Sequence, residues 1–214
     1  MPLATVAARK WFAGCEGSLT TSTERIVLVV LGYAIGGLGY LAVNRIIGEG
    51  PFHQIELPLD RTIPFVPGFA LAYVLVYFTP ALTAMFLEDR AELYRTFLAF
   101  GLNALICFPI FIIFPVEYPR VHTLPGTAAA RLLAFVQAVD RPVNCFPSHH
   151  ISTSFTTFFA VFRQDRRWGG LFGAAAVLVA VSTVFVKQHY VVDIPAGIGV
   201  ACLTYYLSFP RRSR

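Results

Sequence analysis

The chemistry of this chain centres on two histidines. His189 is followed four residues later by Asp193, a spacing that puts an imidazole and a carboxylate on one face of a helical turn. A carboxylate so placed holds one ring nitrogen and leaves the other free as a lone-pair nucleophile. His150 closes the run Pro147-Ser148-His149-His150. A helix opening at Pro147-Ser148 lets Ser148 cap it while unpaired N–H groups point outward, which makes an anion site. His150 then lies in the first turn, beside whatever anion binds. Glu117, Arg120, Asn144, Lys187 and Gln188 gather in the same stretches. Two histidines, a carboxylate, a helix N-terminus and nearby cations suit a phosphorylated substrate.

These residues need elements that bring them together, and the composition says what kind. The 214 residues are 56% hydrophobic and only 14% charged, with a mean hydropathy of +0.64. A soluble domain would carry about 25% charged residues, so the bilayer is the expected solvent. A spanning helix needs about 20 mostly apolar residues. Six segments are read as spans, the fourth of them short but extendable toward Gln164: Ile26–Ile47, Ile63–Leu87, Thr96–Val116, His150–Phe162, Gly169–Lys187 and Val191–Phe209. The expected fold is therefore an all-α integral membrane bundle of six transmembrane helices. It divides into a cytoplasmic N-terminal segment (1–25), the membrane catalytic domain (26–209) and a basic cytoplasmic tail (210–214). The first apolar run is too long for a signal-peptide core and reads as an uncleaved span. Pro64, Pro67, Pro80 and Pro109 fall in or near spans, where membrane helices tolerate proline. Gly36-Gly37-Leu38-Gly39 predicts close helix packing.

Charge distribution sets the expected orientation. With the N-terminus inside, most of the 17 Lys and Arg lie on the cytoplasmic side, among them Arg25, Arg90, Arg95, Arg163, Arg166 and Arg167. Arg45, Arg61, Arg120, Arg131, Arg141 and Lys187 fall on the other side. The bias favours both termini in the cytoplasm. The long loop Glu117–Pro147, the start of span four, the end of span five and the start of span six then meet on the outer face. The net charge of +5 is scattered rather than clustered, so nucleic acid is not an expected partner. Cys15, Cys107, Cys145 and Cys202 have no CxxC or metal-finger spacing and read as buried thiols.

At these motifs the chain resembles the type 2 phosphatidic acid phosphatase superfamily, which includes the vanadium haloperoxidases. The family's second motif, Pro-Ser-x-His, is met by Pro147 to His150. Its third, Ser-Arg, five residues, His, three residues, Asp, is met at Ser182, His189 and Asp193. Thr183 stands where that motif has arginine, and Lys187, one turn on, could bring a cation to its place. The first motif, Lys, six residues, Arg-Pro, is absent, since Arg141-Pro142 has Ala134 at the lysine position. Arg120 is the preferred phosphate ligand of that region, with Arg141 a possible substitute. The setting of Arg120, together with Asn144 before Phe146-Pro147-Ser148 and with His189-Tyr190, resembles the branch of inositol phosphorylceramide synthases and related bacterial proteins.

The resemblance implies a haloperoxidase-like core and a metal-independent lipid-phosphate phosphatase of a bacterial inner membrane, with its site on the outer face and no cofactor. His189, oriented by Asp193, would form a phosphohistidine, and His150 would protonate the leaving oxygen. Arg120, Ser148, Lys187, Ser182 and His149 would hold the phosphate, although His149 reads equally well as pocket wall. His53 and His122 read as interfacial residues, Arg131 as a headgroup-facing charge, and Asp140 and Glu117 as solvated or ion-paired loop residues. Three other functions remain open: a phosphotransferase moving a phospho-headgroup to an alcohol, a zinc site, and a non-catalytic lipid carrier or transporter. The zinc reading leaves Ser148 and the basic residues without a job. No inverted repeat supports a transporter.

Overall fold

The computed structural model describes residues 6–121 and 126–209; His122 and the tail 210–214 lie outside them. Among the described residues the secondary structure is helical, with three isolated β-bridges and no named strand. In chain order the helices are α1 (Val6–Cys15), α2 (Ser22–Ile46), α3 (Pro58–Thr62), α4 (Pro67–Phe86), α5 (Arg90–Ile113), α6 (Ala128–Val139), α7 (His149–Gln164), α8 (Arg166–Phe185) and α9 (Asp193–Ser208). Four of them, α2, α4, α5 and α8, are long and apolar enough to cross a membrane. The fourth and sixth expected spans are α7 and α9, of 16 residues each, which fall short of that length. Helices α1 and α6 lie in stretches that the sequence left as an N-terminal segment and a loop.

Local chemistry explains where the helices start and change. Thr21 and Glu24 form a capping box at the head of α2, Asp89 caps α5 through Glu92 N, and Asp165 caps α8 through Arg167 N and Trp168 N. Helix α2 widens to a π-helical turn over Tyr33–Leu38, within the glycine-rich stretch. A methyl group on Gly32 would come within 2.9 Å of Phe97, and one on Gly39 within 3.2 Å of Phe108. Those two glycines let α2 sit against α5. Helix α4 is broken into 3₁₀ and α segments, the last opening with Thr79-Pro80. Pro80 cannot donate to the Val76 carbonyl one turn back. The Thr79 hydroxyl takes that carbonyl instead, at 2.7 Å.

The helices run up and down, so each end of the bundle collects alternate termini. At one end Arg163 bonds Glu92 at 3.0 Å, Gln164 bonds the Phe86 carbonyl at 3.0 Å, and Arg25 reaches the Ala84 carbonyl. This joins the start of α2, the end of α4, the start of α5 and the end of α7. At the other end, the chain around His53, Val116 and Asn144 is tied by parallel bridges His53↔Val116 and Val116↔Asn144. Val116, Tyr118, Cys145 and Tyr190 pack beneath as a small apolar cluster. Tyr190 also donates its hydroxyl to the Glu117 carbonyl at 2.8 Å. The starts of α7 and α9 and the end of α8 are thereby fixed at this end.

Candidate active site

His189 lies in the turn between α8 and α9, and its ring is 3% exposed as a side chain. Nδ1 is 3.0 Å from Asp193 Oδ2 and 2.9 Å from the Cys145 carbonyl. The carbonyl has only lone pairs to offer, and so has an ionised carboxylate. Nδ1 must therefore carry the proton, which leaves the lone pair of the neutral ring on Nε2. Asp193 is itself held, because its Oδ2 accepts Tyr190 N at 2.9 Å. Nε2 faces Ser148 Oγ at 3.2 Å and His150 Nδ1 at 3.4 Å. Ser148 caps α7 by accepting Ile151 N at 3.3 Å. The far nitrogen of His150 meets the hydroxyl of Tyr73, in α4, at 3.2 Å. A carboxylate, two imidazoles and a phenol thus form one buried chain across three helices.

The proposed phosphate ligands part company here. Arg120 lines a narrow cavity together with Tyr40, Tyr73, Asp140, Asn144 and His189. Its guanidinium donates to the Gln137 carbonyl at 2.7 Å and stands 3.7 Å from Asp140 Oδ2. Arg141 also lines the cavity, but its guanidinium donates to the carbonyls of Asn44, Ile47 and Gly48. It closes the C-terminal end of α2, where a cation is favoured. Lys187 has a left-handed backbone (φ 54°), and its ammonium donates to the Asp60 carbonyl at 2.9 Å. Ser182 and Thr183 return their hydroxyls to the carbonyls of Val179 and Ala180 in their own helix. None of these last three lines the cavity. His149 lies between Tyr40 and Phe108, with ring centroids 6.4 and 5.4 Å away, and does not line it either. Elsewhere, His53 stacks on Phe114 at 4.1 Å.

Several residues here were not candidates on sequence. Tyr73 holds His150. Asp60 accepts Val191 N at 2.7 Å and Leu57 N at 2.7 Å, which ties α3 to the His189 turn. Asp140 accepts Tyr40 OH at 3.2 Å and Asn44 Nδ2 at 3.2 Å. Burial pushes the Asp140 carboxyl up to about 6, against the pull of Arg120 and Tyr40. Burial likewise drives the Cys145 thiol well above its usual range, with Asp193 and Asp140 adding to the effect. Cys145 therefore serves the site through its carbonyl rather than as a thiolate.

A sequence profile of the PAP2 superfamily matches residues 55–207, which include the whole cluster. The chain belongs to the PAP2 superfamily. It is also similar to a PA-phosphatase related-family protein of Dictyostelium discoideum, with 32% identity over 114 residues. That alignment covers 47% of this chain and 21% of the relative, so the chain spans about a fifth of the relative's length. As a PAP2 superfamily member, the chain carries the second-motif Pro147-Ser148-His149-His150 and the His189–Asp193 pair within the matched region.

Proposed function

We propose that this PAP2 superfamily member is a membrane lipid-phosphate phosphatase that works through a phosphohistidine on His189, without a metal. The observation that carries this reading is the pair of acceptors, Asp193 Oδ2 and the Cys145 carbonyl, around His189 Nδ1. With Nδ1–H pinned between Asp193 and the Cys145 carbonyl, Nε2 has a free lone pair directed at Ser148 and His150. In the first step Nε2 attacks phosphorus, the bond to the leaving oxygen breaks, and that oxygen takes a proton from His150. In the second step His150 takes a proton from water, the new P–O bond forms, and the P–N bond breaks to restore His189. Arg120 and the capped N-terminus of α7 face the phosphoryl oxygens as charge redistributes.

The two imidazoles, 3.4 Å apart, must separate for this chemistry. A reacting phosphorus lies about 3–3.5 Å from its nucleophile, and a protonating group about 3 Å from the leaving oxygen. An in-line arrangement therefore needs roughly 6 Å or more between Nε2 and the acid. His150, held on its far side by a hydrogen bond to Tyr73 and by edge-on contacts with Tyr40 and Tyr77, is the member that moves. Helices α7 and α9 complete a six-span bundle, with the site on the outer face.

Incubation of the purified protein with radiolabelled phosphatidic acid tests the reading. Acid-labile, alkali-stable label on the wild type, with neither label nor phosphate release in His189→Ala, is the expected result. Turnover is expected to survive EDTA and to be inhibited by vanadate, which mimics five-coordinate phosphorus. An active His189→Ala protein would end the assignment. Product formation only when an alcohol is supplied would convert the phosphatase into a phosphotransferase.

A further inference from the structure

Asn144 differs from the other polar residues around the cavity. It is 2% exposed, yet neither Oδ1 nor Nδ2 has a hydrogen-bond partner. Its backbone is locked on both sides. Val116 pairs with it across a parallel bridge, and the next residue, Cys145, donates to the Val116 carbonyl at 3.3 Å. The Cys145 carbonyl in turn receives His189 Nδ1. Asn144 lines the cavity that Arg120 and His189 also line.

Apart from Arg120 Nε, which also has no partner, the neighbouring polar groups are already engaged. Tyr40 donates to Asp140, Tyr73 meets His150, Arg141 serves three carbonyls, and Gln188 Nε2 contacts the carbonyls of Val186 and Lys187 at 3.4 Å. A buried carboxamide with all its hydrogen-bonding capacity idle is rare in folded proteins. It offers two N–H donors and one acceptor at a place where donors to a phosphoryl group are few.

We propose that Asn144 is a substrate-contacting residue, its Nδ2 donating to a phosphoryl oxygen and its Oδ1 accepting one hydrogen of the water that receives the phosphoryl group. The inference rests on the reading of His189 as nucleophile. Asn144 neither gains nor loses a proton; the water's other hydrogen passes to His150 as the new P–O bond forms. A neutral amide suits the position because it serves an anion and a hydroxyl at once. An aspartate of the same shape would set a second negative charge beside the phosphoryl oxygens and remove both donors.

The test uses the full chain in detergent micelles, with short-chain phosphatidic acid as substrate and orthovanadate as the transition-state probe. Losing a hydrogen bond to a charged group predicts a fall of roughly 10–100-fold in kcat/KM for Asn144→Ala. The vanadate inhibition constant should rise by a similar factor, and the thermal midpoint should stay near that of the wild type. Asn144→Asp should lose more than Asn144→Ala, and Asn144→Ser serves where the alanine variant folds poorly. An amide that merely holds a buried water would leave kcat/KM and vanadate inhibition within about twofold of wild type, and that result overturns the proposal. Vanadate binding followed directly by ⁵¹V line broadening reads the same contact without turnover; unchanged broadening in Asn144→Ala also overturns it. His189→Ala, assayed in parallel, reports on the nucleophile alone, so failure of that reading is seen separately.

Discussion

At the scale of single residues, the direction of the His189–Asp193 hydrogen bond decides which nitrogen can attack. Asp193→Asn keeps the shape, but its amide can turn an N–H toward Nδ1 and drive the ring proton onto Nε2. The expected loss in kcat is roughly 10²–10⁴ with little change in KM, read from steady-state phosphate release. A variant with normal kcat would mean that the Cys145 carbonyl alone sets the tautomer. Asp140 gives a second prediction, in stability rather than rate. Its folded value of about 6 lies above the ordinary 3.8, so the folded chain holds this proton more tightly than the unfolded one. That contribution is fully present below the ordinary value, falls away as pH rises through about 6, and is then flat. Asp140→Asn has no such proton and should gain on the wild type by up to about 3 kcal/mol between pH 4 and 7. Unfolding measured in detergent across that range checks it; a wild type that gains instead would place Arg120 attraction above burial. The histidine pair was legible in sequence because Asp193 is four residues from His189 and Ser148 opens its own helix. Tyr73 to His150, Lys187 to Asp60 and Asn44 to Asp140 join positions 77, 127 and 96 residues apart, and only packing brings such partners together. For the same reason Lys187 could be placed near Thr183 by helical spacing, whereas the left-handed turn at Lys187 carries its ammonium to Asp60.

At the scale of elements, the site depends on how closely α9 approaches the start of α7. A methyl group on Gly197 would lie 2.8 Å from the Ser148 carbonyl oxygen and 2.9 Å from Ile151 Cβ. Gly197→Ala therefore pushes α9, which begins at Asp193, away from the helix that carries Ser148 and His150. Gly169, at the opposite end of the bundle, faces Phe162 Cα at only 2.2 Å from such a methyl. Both substitutions overpack a helix contact and should cost about 1–3 kcal/mol or more of stability. Gly197→Ala alone should also lower kcat at a temperature where both variants are folded. Equal kcat in the two folded variants would show that the α7–α9 spacing does not set the geometry of the histidines. Apolar run length found α2, α4, α5 and α8, which are long and apolar enough to cross a membrane, because hydropathy is a local property. It passed over α6, whose 12 residues are too few to span and sit in what reads as an outer loop. It also could not foresee that α4 would be divided, since Pro80 costs a hydrogen bond that Thr79 restores.

At the scale of the whole molecule, alternate helix termini separate two chemically different ends. One end holds Arg25, Arg90, Arg163, Arg166 and Arg167 around the start of α2, the starts of α5 and α8 and the end of α7. The other holds the His150–His189 pair, with Arg120 on Asp140 and Gln137, Arg141 on the end of α2, and Lys187 on the Asp60 carbonyl. Lys and Arg near span ends are retained on the cytoplasmic side, so the arginine-rich end should face inward and the histidines outward. Exposed positions at each end test this in intact cells. Arg61, 75% exposed as a side chain, lies at the histidine end, and Arg167 is exposed at the arginine end. In a Cys202→Ser background, which removes the exposed native thiol, Arg61→Cys should react with a membrane-impermeant maleimide from outside the cell. Arg167→Cys should react only after the membrane is opened. The reverse pattern would put the histidine pair on the cytoplasmic face, and the lipid phosphates it meets would then be those of the inner leaflet.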